Sequence, residues 1–235
     1  MRRLYLLAFC ALLFAPQLAG AQTLTRLPQP SVTGTLYRFT PAASTALPAA
    51  GLAVYVAPSG QDRPQWIGPS ITGADGRFSF YRLTAGQDYT LRVYNGSLAL
   101  YEQIVRAPRQ LDPVVLAVFS SAFTVYYYPR PADGDAVAKS LSAIPHQSKA
   151  LQTRTAVLST PTNTLWFGDR VAIGDAKLIA ETLVAGGVKI RAVKRFAVPA
   201  RTNESIIEIG ASEASKDNPP LSLIAIAQAL DFPRK

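Results

Sequence analysis

Side chains able to exchange a proton, hold a metal or attack a carbonyl are scarce in this chain. His146 is the single histidine, next to Pro145 and two residues before Ser148. A histidine can activate a serine hydroxyl when a third group orients the ring. No serine here has the Gly-x-Ser-x-Gly setting of a nucleophile elbow, so His146 reads as an exposed loop histidine. Asp133 and Asp175 could divide acid and base roles as in a glycosidase. Each, however, precedes an apolar run at helical spacing, where a carboxylate acts as an N-cap. Gly186-Gly187 ends such a run, whereas a phosphate-cradling loop would begin one. The only cysteine, Cys10, lies in the N-terminal apolar run. A chain that loses that run has no thiol and one imidazole, too few for a metal site. No catalytic, cofactor-binding or metal residue is assigned, and the chain reads as non-enzymatic.

Two groups of residues are better suited to binding. Lys189 and Arg191 alternate with apolar residues from Val188 to Val193, with Lys194 and Arg195 just beyond and Arg201 in the following loop. Such a stripe can hold an anionic polymer, or it can be a solvated edge that resists strand pairing. Tyr126, Tyr128 and Trp166 form the second group, an aromatic platform for sugar or peptide. Alternation sets Tyr126 and Tyr128 opposite Tyr127, so at least one of those faces is core.

These residues belong to a basic chain of 235 residues, with 24 Lys+Arg against 15 Asp+Glu and a net charge of +9. Met1-Arg2-Arg3, an apolar run from Leu4 to Ala15 and Ala19-Gly20-Ala21 have the pattern of a secretory signal peptide over residues 1–21. Its removal takes away Arg2 and Arg3 and no acid, leaving 22 basic residues against 15 and a charge near +7. A basic exported protein is attracted to anionic partners. No long run of one sign suggests specific nucleic-acid binding, and no second apolar run reaches spanning length. Hydrophobic residues make up 49% of the chain, so a core can form without disulfides. Asn95-Gly96-Ser97 and Asn203-Glu204-Ser205 fit the glycosylation pattern, but an exported chain without thiols points to a bacterial envelope.

Positioning falls to two kinds of element. Residues 22–30 read as a linker. From Ser31 to Ala107, period-two runs alternate with turn signals and no helical stretch intervenes: Val32 to Tyr37, Leu52 to Val56, Phe78 to Leu83, Tyr89 to Tyr94 and Leu98 to Val105. Asp75-Gly76 is the tightest turn. Residues 108–121 are a linker or, through Val114 to Val118, a last strand. The period then changes. Phe123 to Tyr128 is a strand stopped by Pro129 and Pro131, followed by a helix carrying Val137, Leu141 and Ile144. Leu165-Trp166-Phe167, Asp175 and the helix Ala176 to Val184 repeat that order. Thr153 to Leu158, Val188 to Val193 and Ser205 to Gly210 supply further strands. Residues 213–235 form a tail in which Ser222 caps a short helix, Leu223 to Leu230.

Val32-x-Gly34, Leu52-x-Val54-x-Val56 and Thr72-Gly73-Ala74-Asp75-Gly76-Arg77-Phe78-x-Phe80-x-x-Leu83-x-x-Gly86-x-x-Tyr89-x-Leu91-x-Val93 resemble the carboxypeptidase regulatory-like domains over residues 31–107. That resemblance implies a transthyretin-like β-sandwich serving as a spacer or binding module. Gly73 stands where the family often has aspartate, which leaves no carboxylate cluster for calcium. Residues 122–212 are similar in outline to the ferredoxin-type fold of small cell-envelope binding modules, among them the sporulation-related peptidoglycan-binding repeats and the C-terminal domain of cell-envelope attenuators. The expected fold class is an all-β sandwich followed by a small α+β domain with a repeated strand–helix unit. The expected function is that of an exported binding or adaptor protein, periplasmic or secreted, recognising an envelope protein or an anionic cell-wall polymer. The alternative is a structural or assembly subunit of an envelope complex, docked through the Leu223–Leu230 helix.

Overall fold

A glycine at position 76 is required by its surroundings. Its φ is +74°, and a Cβ there would stand 2.2 Å from the Leu36 carbonyl oxygen. Gly76 N–H donates to Gly73 O, while the Asp75 carboxylate accepts from Arg77 N–H. The buried Thr72 hydroxyl donates to Ala49 O at 2.6 Å and accepts from Leu52 N–H at 2.9 Å. One short motif thereby ties together a turn and two neighbouring strands. Gly76→Ala should lower stability by roughly 2 kcal/mol or more, because a left-handed alanine alone costs about 1–2 kcal/mol and the strand holding Leu36 must also shift. A thermal melt measures this, and an unchanged midpoint would show that the close approach is dispensable.

The computed structural model describes residues 29, 31–41, 45–145, 151–153 (backbone only), 160–197 and 203–234. The leader, His146, Ser148 and Arg201 lie outside the described residues. The first half contains β1 (Val32–Arg38), β2 (Leu47–Pro48), β3 (Ala53–Pro58), β4 (Ile67–Ile71), β5 (Arg77–Phe80), β6 (Asp88–Asn95), β7 (Leu98–Arg106), β8 (Arg109–Gln110) and β9 (Val114–Leu116). β5 and β2 run end to end along one edge of β1, and β8 and β9 run along the other. A second, antiparallel sheet has the order β4-β3-β6-β7. Val32, Leu36, Phe78 and Phe80 of the first sheet and Val54, Val56, Leu91 and Val93 of the second are buried in one core. The alternation of buried and half-buried residues along β1, β3 and β6 is the period that the sequence displays.

Residues 108–121 are not a free linker. β9 pairs in parallel with β1, and Asn95 Nδ2 donates to Phe119 O at 2.9 Å. Phe119 and Phe123 are buried edge to face, centroids 5.1 Å apart. The apolar run Val114 to Phe119 after Asp112-Pro113 has enough surface to bury, so the joint is packed and the buried cluster continues into the second half.

The second half contains β10 (Thr124–Tyr127), α1 (Ala136–Ser142), β11 (Leu151–Thr153), β12 (Thr164–Phe167), α2 (Ile173–Ala185), β13 (Ala192–Arg195), β14 (Ile206–Gly210) and α3 (Leu223–Gln228). Its mixed sheet has the order β11-β10-β14-β12-β13. β10 and β11 are parallel neighbours joined through α1, and β12 and β13 are parallel neighbours joined through α2. β14 lies between the units, parallel to β10 and antiparallel to β12. The strand–helix duplication is therefore real and is arranged about β14. It departs from the ferredoxin-type outline, whose strand–helix–strand units are split by an intervening strand. The helices pack on each other where Gly186 faces Ser140, and a Cβ at Gly186 would meet that hydroxyl at 1.8 Å.

The tail belongs to this body. Ser222 Oγ accepts from Ala225 N–H as an N-cap, and Ile226 is buried where α3 packs on α2. Phe232 meets Phe167 edge to face, while Arg195 N–H donates to Pro233 O along the outer edge of β13. Among the described residues, no helix is long and apolar enough to cross a membrane.

Candidate functional site

Strand alternation sorts the second half's aromatic residues between two faces. Val125, Tyr127, Leu165, Phe167, Ile207 and Ile209 are buried with the helices. Their neighbours point the other way. Register pairs Tyr126 with Glu208, Glu208 with Trp166 and Trp166 with Lys194. Cross-strand partners share a face, so these four form a row across the sheet, and Tyr128 continues it. Trp166 is buried, while Tyr126, Tyr128, Glu208 and Lys194 are half-buried. A cleft of about 490 Å³ adjoins the row, lined by Trp166, Phe196, Glu208 and residues 211–214.

Three groups converge over Gly210. A Cβ at that position would lie 3.5 Å from Trp166 Cζ3, 3.7 Å from Arg130 Nη2 and 3.8 Å from Tyr128 Cδ2. Arg130 is only 6% exposed. Its Nη1 donates to Thr160 O at 3.0 Å, and its Nε has no hydrogen-bond partner among the described residues. No carboxylate of the described residues forms an ion pair with it. A guanidinium offers five N–H donors, and burying a charge without a counter-charge is costly. The arrangement can therefore accept an anionic group beside an aromatic surface.

The basic stripe is divided. Residues 188–191 precede β13: Ile190 is buried, and Arg191 N–H donates to Asn163 O. Lys189 and Arg191 line a separate cleft of about 440 Å³ together with Lys216 and Asp133. There Arg191 Nη1 donates to Asn218 O, and Lys216 lies 3.2 Å from Glu213. Lys194 Nζ is 3.2 Å from Ser215 Oγ. Arg195 lies 3.5 Å from Asp169 and 3.2 Å from Asp231, and stacks over Phe167 at 4.7 Å. It is neither part of a basic patch nor on a bare edge, because residues 231–234 cover that edge of β13. Of the seven residues named from sequence, Tyr126, Tyr128, Trp166 and Lys194 are brought together.

Neither Asp133 nor Asp175 caps a helix with its side chain. Asp175 lies in the first turn of α2 and accepts from Ser120 N–H, Ser121 N–H and Ser121 Oγ, just before β10. Asp133 accepts from Thr162 N–H and Oγ1, just before β12. Each unit's aspartate thus grips the entry to the other unit's leading strand. Burial, and secondarily the Asp133 charge, raises the Tyr127 phenol above its ordinary value. It remains a donor to Asp133 at 3.4 Å.

Sequence reasoning missed Arg130 and Glu208. The signal for Glu208 is a lone charge in Ile206-Ile207-Glu208-Ile209, which alternation sets opposite the core-facing isoleucines. For Arg130 it is a cation held between Pro129 and Pro131 directly after an aromatic strand.

No family model matches the chain, and no curated protein matches it. Among the solved structures that overlap it in part are two of type II cohesin–X-dockerin complexes from Acetivibrio cellulolyticus. The N-terminal interface mutant is 14% identical over 49% of this chain and 74% of that chain, with a TM-score of 0.26. The C-terminal interface mutant is 15% identical over 37% and 57%, with a TM-score of 0.25.

Proposed function

We propose that this chain is an exported, non-catalytic binding protein of the bacterial cell envelope, and that the outer face of its second sheet holds an anionic cell-wall component. The observation that carries this reading is the convergence over Gly210 of Trp166, Tyr128 and Arg130, a buried cation with no carboxylate partner among the described residues. A carboxylate or phosphate would satisfy the guanidinium by charge-assisted hydrogen bonds, and the rings would pack the ligand's apolar part. The leader-like residues 1–21 support export to the periplasm or beyond. The first half, on its resemblance to carboxypeptidase regulatory-like domains, acts as a spacer that keeps the sheet face clear of its attachment.

Co-sedimentation of the leaderless chain with purified cell wall tests this reading at low and at moderate salt. Retention that survives moderate salt is the expected result, since a partly buried contact is screened less than a surface one. No retention at low salt would remove the proposal. A second reading, an assembly subunit, is favoured by Ile224 and Leu230, which are 68% and 94% exposed at and just beyond α3. Cross-linking in whole cells, with and without α3, would then recover a protein partner only from the intact chain.

A further inference from the structure

The first half carries a second aromatic site that owes nothing to the face around Arg130. On the β4-β3-β6-β7 sheet, Val54, Val56, Leu91 and Val93 point into the core. Tyr55 and Tyr94 therefore point outward, and their rings stand edge to face at 5.7 Å and 89°. Trp66, just before β4, completes a notch of about 310 Å³ with these rings and the Gly96-Ser97 turn. All three rings are half-buried, so each keeps surface facing solvent.

The Trp66 ring is held in place. Arg92, paired across strands with Tyr55, lies over the indole at 4.8 Å. Glu102, paired with Arg92 on the other side, accepts from its Nε. A Glu102–Arg92–Trp66 chain thus fixes the wall of the notch and cancels its charge, although the whole protein carries +9. A neutral notch in a basic protein selects an uncharged ligand. It presents an apolar aromatic surface beside donors, the Arg92 guanidinium and indole N–H, and acceptors, the Glu102 carboxylate and Ser97 hydroxyl. A ligand matching both has an apolar face and a rim of hydroxyls that donate as well as accept. A proline-rich peptide, the other common guest of aromatic grooves, offers carbonyl acceptors but no proline N–H donors, which leaves Glu102 unused.

The geometry points to a binding site for an uncharged saccharide, with a sugar ring resting on Trp66 and Tyr94 and its hydroxyls reaching Arg92, Glu102 and Ser97. The sugar belongs to a polysaccharide chain, because the notch is open at the sheet surface and a chain can pass along it.

Affinity electrophoresis tests this with the whole chain, run toward the cathode through native gels containing hydroxyethyl cellulose, a mixed-linkage β-glucan, α-mannan or glycol chitin. Retardation by at least one of them is expected, with calorimetry on the matching hexasaccharide and hexose giving the affinity and showing whether chain length is needed. Trp66→Ala should weaken binding about tenfold or more, the loss typical of a central aromatic anchor. Tyr94→Ala reads the same notch from another strand should Trp66→Ala fail to fold. No retardation by any neutral polysaccharide overturns the inference. So does undiminished binding by a folded variant, tighter binding of the free hexose than of the hexasaccharide, or binding of decaproline in place of sugar.

Discussion

Asp175→Ala is expected to cost the fold roughly 2–4 kcal/mol, since its partners are neutral donors and a hydrogen bond to a charged acceptor is worth about 1.5–3 kcal/mol. Asp175 is 2% exposed, and its two oxygens accept from Ser120 N–H at 2.8 Å, Ser121 N–H at 2.7 Å and Ser121 Oγ at 2.5 Å. Ser121 Oγ in turn accepts from Ala172 N–H at 3.0 Å, at the start of α2. Alanine would remove the shared acceptor of two backbone donors and one hydroxyl at exposed Ser120 and half-buried Ser121, where water recovers part of the loss. Asp175→Asn retains one acceptor oxygen and should recover part of the loss. Urea denaturation reads both. If Asp175→Ala unfolds at the wild-type midpoint, the carboxylate does not hold the joint, and Asp175 returns to being a spare acid.

Much of this architecture was legible because it rests on local periodicity. The half-buried strands of the sandwich, the Asp75-Gly76 turn, the Gly186 helix stop and the strand–helix duplication each leave a pattern within about ten residues. Pairing is not local. The parallel attachment of β9 to β1 and the insertion of β14 between the repeated units depend on contacts across 80 residues or so, and alternation cannot state which strand lies beside which. The two aspartates show the same limit. An acid before an apolar helical run has the chemistry of a cap, but the donors at Ser121 and Thr162 belong to distant segments that reach it first. The stripe at Lys189 to Arg195 is divided for a related reason: the tail supplies Asp231 and the Pro233 carbonyl to Arg195, and no window around the stripe contains them. Tyr126, Tyr128 and Trp166 were found by type and face, whereas the cation beside them was hidden between prolines. The notch on the sandwich escaped because Tyr55, Trp66 and Tyr94 come from three separate strands or their flanks.

Arg130→Met provides a test in which stability and binding should move in opposite directions. Methionine fills a comparable volume without charge, and replacing a buried ionic group by a packed apolar one is often neutral or stabilising by about 1–4 kcal/mol. Among the described residues the wild-type guanidinium has one acceptor, Thr160 O, and its Nε has no partner. Thr160 is half-buried, so water can replace the lost donor. The expected result is a melting temperature equal to or above that of the wild type, with retention on purified cell wall lowered about tenfold, the worth of a single charge-assisted contact. An arginine kept for the fold would give the reverse: a lower melting temperature and unchanged retention per folded molecule. Arg130→Lys separates charge from shape, since lysine keeps the positive charge but lacks the planar fork that meets a carboxylate or phosphate with two parallel bonds. Retention restored by lysine would indicate a point-charge contact, and retention still lost would indicate a bidentate one. Full retention in Arg130→Met would remove the guanidinium from the site and leave the aromatic row without its anion.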